Sequence, residues 1–535
     1  MWTRGWRDAV WSELGSPWDV LVIGGGITGA GILREAARRG LRALLVEQRD
    51  FAWGTSSRSS KLVHGGLRYL KEGKLRLTRA AVAERERLVA EAPGLVERLG
   101  FLLATYEGAH PGSLTYRAGL SLYDLLAVRW SHQHYDSEDF RMLAPHVARR
   151  GLKGGFRFGD AQTDDARLVL RVLTEAAAAG AVALNYAAAE HLLREDGRVI
   201  GVHLADRARD RSAEVRAGIV VNATGAWADR LRAELGVPPR IRPLRGSHLT
   251  FPAWRFPMAQ AVTVSHPHDG RPVFFIPWEG VTLIGTTDVD HGAPLDNEPA
   301  MTDEELRYLF AAIEAEFPTL GVTPADVMAS FAGVRPVINT GKADPSRESR
   351  DHAVWEERGL LTVTGGKLTT FRLMALDALK AAGPYLPAGS GARTRAARAL
   401  DPIPATLPPA ADGLDDDQRR RLLGRYGAAA ARLVASAAPE LLASVPGTNA
   451  LWAELRWAAR AEGVVHLEDL LLRRVRLGLL LPEGARALLP EVRRVCQPEL
   501  GWDDGTWERE EDAYLRTWRE RYSLPPRAAA SHGGN

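Results

Sequence analysis

Asp19-Val-Leu-Val-Ile-Gly-Gly-Gly-Ile-Thr-Gly-Ala-Gly31, followed by Arg42-Ala-Leu-Leu-Val-Glu47, decides the fold. Residues 19–23 form a short continuous apolar run, the pattern of a strand buried on both faces of a parallel sheet. Gly24, Gly26 and Gly29 satisfy G-x-G-x-x-G, an amphipathic stretch runs to about Gly40, and a second apolar strand ends at Glu47. Gly24 permits the tight turn, Gly26 lets backbone approach a pyrophosphate, and Gly29 lets helix and strand pack closely. Ile27 and Thr28 open the helix, whose unpaired N–H groups and positive dipole end suit an anion. Glu47 lies 18 residues beyond Gly29, where a carboxylate belongs for a ribose hydroxyl. The glycine motif alone is a weak signal. With strand, helix, strand and acid around it, it predicts a dinucleotide site.

Composition narrows what surrounds this unit. The chain has 535 residues, 45% hydrophobic and 25% charged, the balance of an ordinary globular protein with several units. A single cysteine, Cys496, excludes an intrachain disulfide and Cys-ligated zinc or iron–sulfur centres, and fits a reducing compartment. No run of 18 apolar residues predicts a membrane span, and the first residues lack the apolar region of a signal peptide. A net charge of +3 does not call for nucleic acid. Seven of the 69 basic residues are lysine, so a lysine inside a glycine-rich motif stands out.

Working outward, residues 1–17 predict an amphipathic helix carrying Trp2, Trp6 and Trp11, either a packing element or a membrane-interface anchor. Residues 51–70, FAWGTSSRSSKLVHGGLRYL, are rich in hydroxyls, glycine and base, and predict a loop lining the cofactor. A helix capped by Asp164 or Asp165 follows, then a β-meander running into Asn222-Ala-Thr-Gly225. Alternating strands from 241 to 290, with Glu279-Gly280 as a hairpin loop, predict an antiparallel sheet. Thr302 and Glu305 predict a capping box, and residues 327–340 a returning strand. Leu360-Leu-Thr-Val-Thr-Gly-Gly-Lys-Leu-Thr-Thr370 is a further strand-to-helix turn.

These units predict an α/β protein. A Rossmann-like FAD-binding domain (18–240 and 335–383, with parts of 71–160 on the substrate side) is interrupted by an antiparallel substrate domain (241–334). A linker (384–413), a helical C-terminal domain (414–524) and a disordered tail (525–535) follow. No second dinucleotide motif and no C-x-x-C is present, so reduction from a substrate carbon is expected.

VIGGGITGAG (22–31), TSSRSSKLVHGGLRYL (55–70), VNATGAWAD (221–229), RGSHLTF (245–251), GVRPV (333–337) and GGKLTTFR (365–372) carry a family resemblance. The chain resembles the FAD-dependent, quinone-linked, aerobic-type glycerol-3-phosphate dehydrogenases of the D-amino-acid-oxidase-like flavoprotein superfamily. The resemblance runs from about Trp18 to Tyr522. Trp53 and Gly54 depart from the small or sulfur residues expected before TSS. The inserted segment of the related oxidases has no counterpart here.

The resemblance implies oxidation of sn-glycerol 3-phosphate to dihydroxyacetone phosphate, with FAD taking the hydride and a membrane quinone the electrons. It implies that Gly24, Gly26, Ile27, Thr28, Gly29, Glu47, Thr55, Ser56, Ser59, Ala189, Gly225, Gly366, Lys367, Leu368 and Thr369 hold FAD. Arg68, Tyr69 and Arg350 are the implied phosphate ligands and Arg335 the bidentate grip on the substrate. Lys367 is the implied cation beside the flavin, and His248 the base, with His64 as second candidate. The expected partners are glycerol 3-phosphate, quinone, the cytoplasmic face of the cell membrane and a second copy of the chain as a homodimer. Rival readings are a glycerol-3-phosphate oxidase using O2 and an FAD-dependent amine or amino-acid oxidase.

Overall fold

The computed structural model describes residues 2–67, 73, 75–108, 112–127, 130–342, 348, 351–389, 398–404 and 406–526. Among these, two sheets carry the fold. In the first, Trp18–Ile23 pairs in parallel with Ala43–Val46 on one side and Ser212–Asn222 on the other. Val182–Leu184 and Leu360–Gly365 extend this parallel core, and His352–Glu357 closes one edge antiparallel. The expected meander is formed by Arg198–Asp206 and Ser212–Asn222, and Ala187–Glu195 adds a further strand along Arg198–Asp206. Helices Ile27–Arg38, Asp165–Ala178 and Phe371–Ala381 cover the sheet and share its core.

The second sheet has nine strands, antiparallel but for Ala261–Ser265 beside Val96–Tyr106. It takes Val96–Tyr106, Gln133–Asp136 and Leu152–Thr163 from the early part of the chain. Ala329–Ile338 pairs along Ile241–Pro252 throughout, so this strand passes beyond the boundary drawn at 334. Glu279 and Gly280 both adopt positive φ, which matches the twist of the two strands they join. Thr302 and Glu305 form the expected capping box on Asp303–Glu316.

The N-terminal helix, Trp6–Glu13, packs on the first domain, where Arg7 donates to the Asn185 carbonyl and to Asp206. Trp2 is buried, donates its indole N–H to the Ala183 carbonyl, and meets Phe51 at 5.3 Å. The expected linker is pinned at its far end. Ala399 and Leu400 are buried, their N–H groups donate to Glu91, and Asp401 pairs with Arg34 and Arg38. Residues 390–397 and 405, and 527–535 of the expected disordered tail, lie outside the described residues.

The C-terminal domain is helical and joins the first domain through buried ion pairs. A π-helical turn, Leu470–Arg474, delivers Arg473 and Arg474 to the Asp50 carboxylate at 2.6 Å each. Arg476, with positive φ, reaches Asp165 at 2.6 Å and the Ser57 carbonyl at 2.9 Å. Arg167 grips Glu462 with two hydrogen bonds, and Arg425 meets Asp164 at 2.6 Å. LLLRRVRLG therefore presents no basic face to a membrane there, because its three arginines are buried against carboxylates.

Candidate active site

A cavity of about 1870 Å³ lies between the two sheets. It exceeds the usual span of about 300–1,000 Å³ for a drug-sized ligand, and has room for a dinucleotide and a substrate. Its wall at the first sheet is the glycine turn. A Cβ on Gly24, at φ 114°, would lie 2.5 Å from the Ala223 carbonyl oxygen. One on Gly26 would approach Ser56 Oγ at 3.1 Å. Gly29 lies behind the wall; a Cβ there would strike the Gly24 carbonyl at 1.9 Å, so its task is helix–strand packing. Glu47 accepts the Gly25 N–H at 2.7 Å and the Arg49 N–H at 2.9 Å, while burial raises its carboxyl above the usual range. A carboxylate has about four acceptor sites, which leaves capacity for ribose hydroxyls.

The other expected cofactor residues come from four separate elements. Thr55, Ser56 and Ser59 sit on the 54–61 loop, Ala189 on Ala187–Glu195 and Gly225 in the turn after Ser212–Asn222. Gly366 to Thr369 follow Leu360–Gly365. Gly365 and Gly366 have φ of 76° and 70°, so this turn needs glycine. The cradle and the carboxylate fit the adenosine diphosphate half of FAD, and Lys367 stands on the same wall.

Arg335 lies on the strand from the second sheet. It donates to Asp288 at 3.1 Å, the Thr287 carbonyl at 3.3 Å and Thr286 Oγ1 at 3.0 Å. A Cβ on Gly246 would lie 2.5 Å from its Nη2, so the glycine of RGSH makes room for the guanidinium. His64 borders the same cavity. Beneath its loop, Asp160 accepts from the Gly65 N–H, Arg85 and Tyr123.

His248 lies one hydrogen bond behind the cavity wall. It is 1% exposed and is not on the cavity wall. Its ring stacks on Phe331 at 4.7 Å, and Nε2 lies 2.8 Å from Ser60 Oγ, which does border the cavity. The strand carrying it runs opposite Gly285 and Phe331, and that pairing seals the ring inside the sheet. Burial, with the charges of Arg335 and Lys61, holds the imidazole well below its ordinary value. Arg68, Tyr69 and Arg350 lie outside the described residues.

Sequence reasoning missed Ser60, Asp160 and the bracing set Thr286–Asp288. It also missed the cluster behind the loop. Lys61 is buried and donates to Asp165 at 2.8 and 2.9 Å; Asp165 also takes the Ser59 N–H and hydroxyl at 2.9 and 2.7 Å. The signal was present: a lysine in an arginine-rich chain, followed about a hundred residues later by paired aspartates at a helix start.

A family model described as FAD dependent oxidoreductase matches residues 19–373, and one described as the C-terminal domain of alpha-glycerophosphate oxidase matches 386–506. Glycerol-3-phosphate dehydrogenase 2 of Mycobacterium bovis is 38% identical over 95% of this chain and 89% of that protein. An aerobic glycerol-3-phosphate dehydrogenase of Staphylococcus epidermidis is 36% identical over 85% of this chain and 86% of that one. Among solved structures, a glycerol-3-phosphate dehydrogenase from Bacillus halodurans complexed with FAD superposes with a TM-score of 0.76. It is 30% identical, covering 96% of this chain and 98% of that one. A glycine-turn cradle, a carboxylate at the second strand and a cationic substrate wall are what such a chain requires, and this chain belongs to the FAD dependent oxidoreductase family and, within it, to the glycerol-3-phosphate dehydrogenases.

Proposed function

We propose that the chain oxidises sn-glycerol 3-phosphate at C2 to dihydroxyacetone phosphate and delivers the electrons to a membrane quinone, working at the cytoplasmic face of the cell membrane. The observation that carries this reading is one continuous cavity bordered by Gly24, Gly26 and Glu47 and also by Arg335, Lys367 and His64. Bound FAD supplies the two-electron acceptor for the C2 hydride. The residues of the chain do the rest. Arg335, braced by Thr286 and Asp288, offers two parallel N–H donors to an oxyanion of the substrate. Lys367 brings positive charge to the wall where electron density accumulates. Arg68, Tyr69 and Arg350 join as phosphate ligands on the resemblance alone.

The C2 hydroxyl proton goes to His64 in this reading. A neutral imidazole accepts a proton at neutral pH, whereas a guanidinium does not. His248 is the weaker acceptor because two cations and burial oppose its protonation. It holds Ser60 instead, and so acts as a positioning residue. Anaerobic flavin reduction by glycerol 3-phosphate tests the assignment. His64→Asn slows reduction by about 10²–10⁴, the range for losing a general base, and His248→Asn by less than about tenfold. The reverse order returns the base to His248. The C-terminal match to a domain described from an oxidase favours the O2-using alternative. Stoichiometric hydrogen peroxide with no reduction of a soluble quinone analogue would decide for it.

A further inference from the structure

Helix Ser113–Ala127 has two apolar faces. Leu120 and Tyr123 point into the core shared with Phe158 and Leu283. On the opposite side Leu114, Ala118, Leu122 and Leu125 recur at spacings of four, four and three, which puts them on one stripe. Leu114 is 82% and Leu125 69% exposed, and Trp130 just beyond the helix is 70% exposed. A solvent-facing stripe of this kind marks an interaction surface.

Two further observations say what covers it. Among the described residues of this helix and the adjoining one, three exposed arginines flank it. Arg117 is exposed on the helix, whereas the acid Asp124 is buried and bound by Ser131 and His132. The adjoining helix Leu75–Glu91, held by a 2.9 Å hydrogen bond from Arg85 to Tyr123, opens with exposed Leu75, Arg76 and Arg79 and has no acid in its first turn. The stripe is also continuous with the active site: Thr115, Ala118 and Leu122 are exposed and line the cavity as well.

We propose that this face of helix Ser113–Ala127, with Trp130, docks on the surface of an anionic lipid bilayer and turns the cavity opening toward it. Leucines and a tryptophan suit the headgroup boundary, and arginines suit its negative potential. A second copy of the chain would bring the same arginines to the contact, whereas an anionic headgroup neutralises them. An apolar electron acceptor dissolved in the bilayer would then reach the cavity without crossing water. The purpose of the surface rests on the quinone reading above; its test does not.

The test is co-sedimentation of the holoenzyme with vesicles of phosphatidylcholine alone or mixed with phosphatidylglycerol. The wild type partitions onto the anionic vesicles. Leu114→Asp with Leu125→Asp lowers that partitioning by about tenfold or more, because each carboxylate opposes both the apolar and the electrostatic attraction. Flavin content and turnover with a soluble dye are unchanged, since neither leucine lines the cavity. Leu114→Asp alone gives an intermediate loss. Trp254→Asp, between the strands Ile241–Pro252 and Ala261–Ser265 and 82% exposed, binds as the wild type does. Equal vesicle binding by the wild type and the double variant overturns the proposal. So does a wild-type dimer that ignores vesicles and is split by the double substitution. Vesicle binding without reduction of an embedded quinone leaves the docking surface standing and removes the acceptor reading.

Discussion

Replacing Asp165 by alanine removes the centre of the charge cluster behind the 54–61 loop. Asp165 is fully buried and accepts from Lys61, Arg476, the Ser59 N–H and the Ser59 hydroxyl. Breaking a buried ion pair from one side costs about 3–5 kcal/mol. The lower part of that range applies at pH 8. Burial and the nearby Arg476 already pull the Lys61 ammonium down to about 7, against the pull of Asp165. Above that pH the native lysine is largely neutral, and losing its partner matters less. Most of the cost then falls on Arg476, which keeps the Ser57 and Leu472 carbonyls but loses its carboxylate.

The pH dependence has a definite sign. In the wild type, native Lys61 takes up its proton as pH falls through about 7, as the unfolded chain already has, so stability levels off below that point. Without Asp165 the native lysine stays neutral while the unfolded chain remains protonated. The variant therefore keeps losing about 1.4 kcal/mol per pH unit below 7. Urea unfolding of both holoproteins at pH 6 and pH 8, followed by tryptophan fluorescence, reads this directly. The destabilisation is expected to be about 1 kcal/mol larger at pH 6. Because Ser59 borders the cavity, FAD binding should also weaken by about tenfold, the equivalent of one charge-assisted hydrogen bond. A destabilisation below about 1 kcal/mol, or one equal at the two pH values, refutes the role given to this cluster.

Gly26→Val puts side-chain carbons where Ser56 Oγ and the diphosphate must lie, and should yield apoprotein; normal flavin absorbance would remove the assignment of this turn. Gly246→Ala forces Arg335 off its bracing groups, so kcat/KM should fall by about 2–4 kcal/mol of transition-state stabilisation with flavin content intact; unchanged kinetics would place Arg335 outside the substrate's reach. Arg335→Lys keeps the charge but loses the two-point fork, and should raise KM and lower kcat together. Deleting residues 1–17 exposes the surface that Trp2 covers on Phe51, so Tm should drop while dye-linked turnover and vesicle binding persist; loss of vesicle binding at unchanged Tm would make this helix an anchor.

The features legible from the sequence are local ones. The glycine turn, Glu47, the Glu279-Gly280 hairpin and the Thr302–Glu305 capping box each depend on residues a few positions apart, or on one βαβ unit. The packed N-terminal helix could be proposed because tryptophans at helical spacing have few uses. The second sheet was legible only in part: Val96–Tyr106 pairs with Ala261–Ser265 across more than a hundred residues and brings Leu152–Thr163 with it, and their patterns do not name their partners. The arginines of the C-terminal domain are opaque to a local reading for a similar reason. LLLRRVRLG has the composition of an exposed basic face, and only the distant Asp50 and Asp165 show that these charges are neutralised inside.

The two histidines show where such reasoning stops. His64 and His248 stand in comparable sequence settings, each beside glycine or serine in a motif of the family. Their chemistry is separated by pairing that the sequence does not display. Ile241–Pro252 is flanked on both sides, by Val281–Gly285 and by Ala329–Ile338, so the His248 ring lies against Phe331 and Ser60 closes it off from the cavity. Lys61 stands over the other part of that arrangement, 4.9 Å from the Phe331 ring, and its charge with that of Arg335 opposes a proton on His248. His64 keeps its place on the cavity wall, where its carbonyl accepts from Thr369 Oγ1 and Asp160 holds the adjoining Gly65 N–H. A base must both reach the hydroxyl and tolerate the charge it acquires. In the proposed reading His64 meets the first requirement at the cavity wall, whereas His248 meets it only through Ser60.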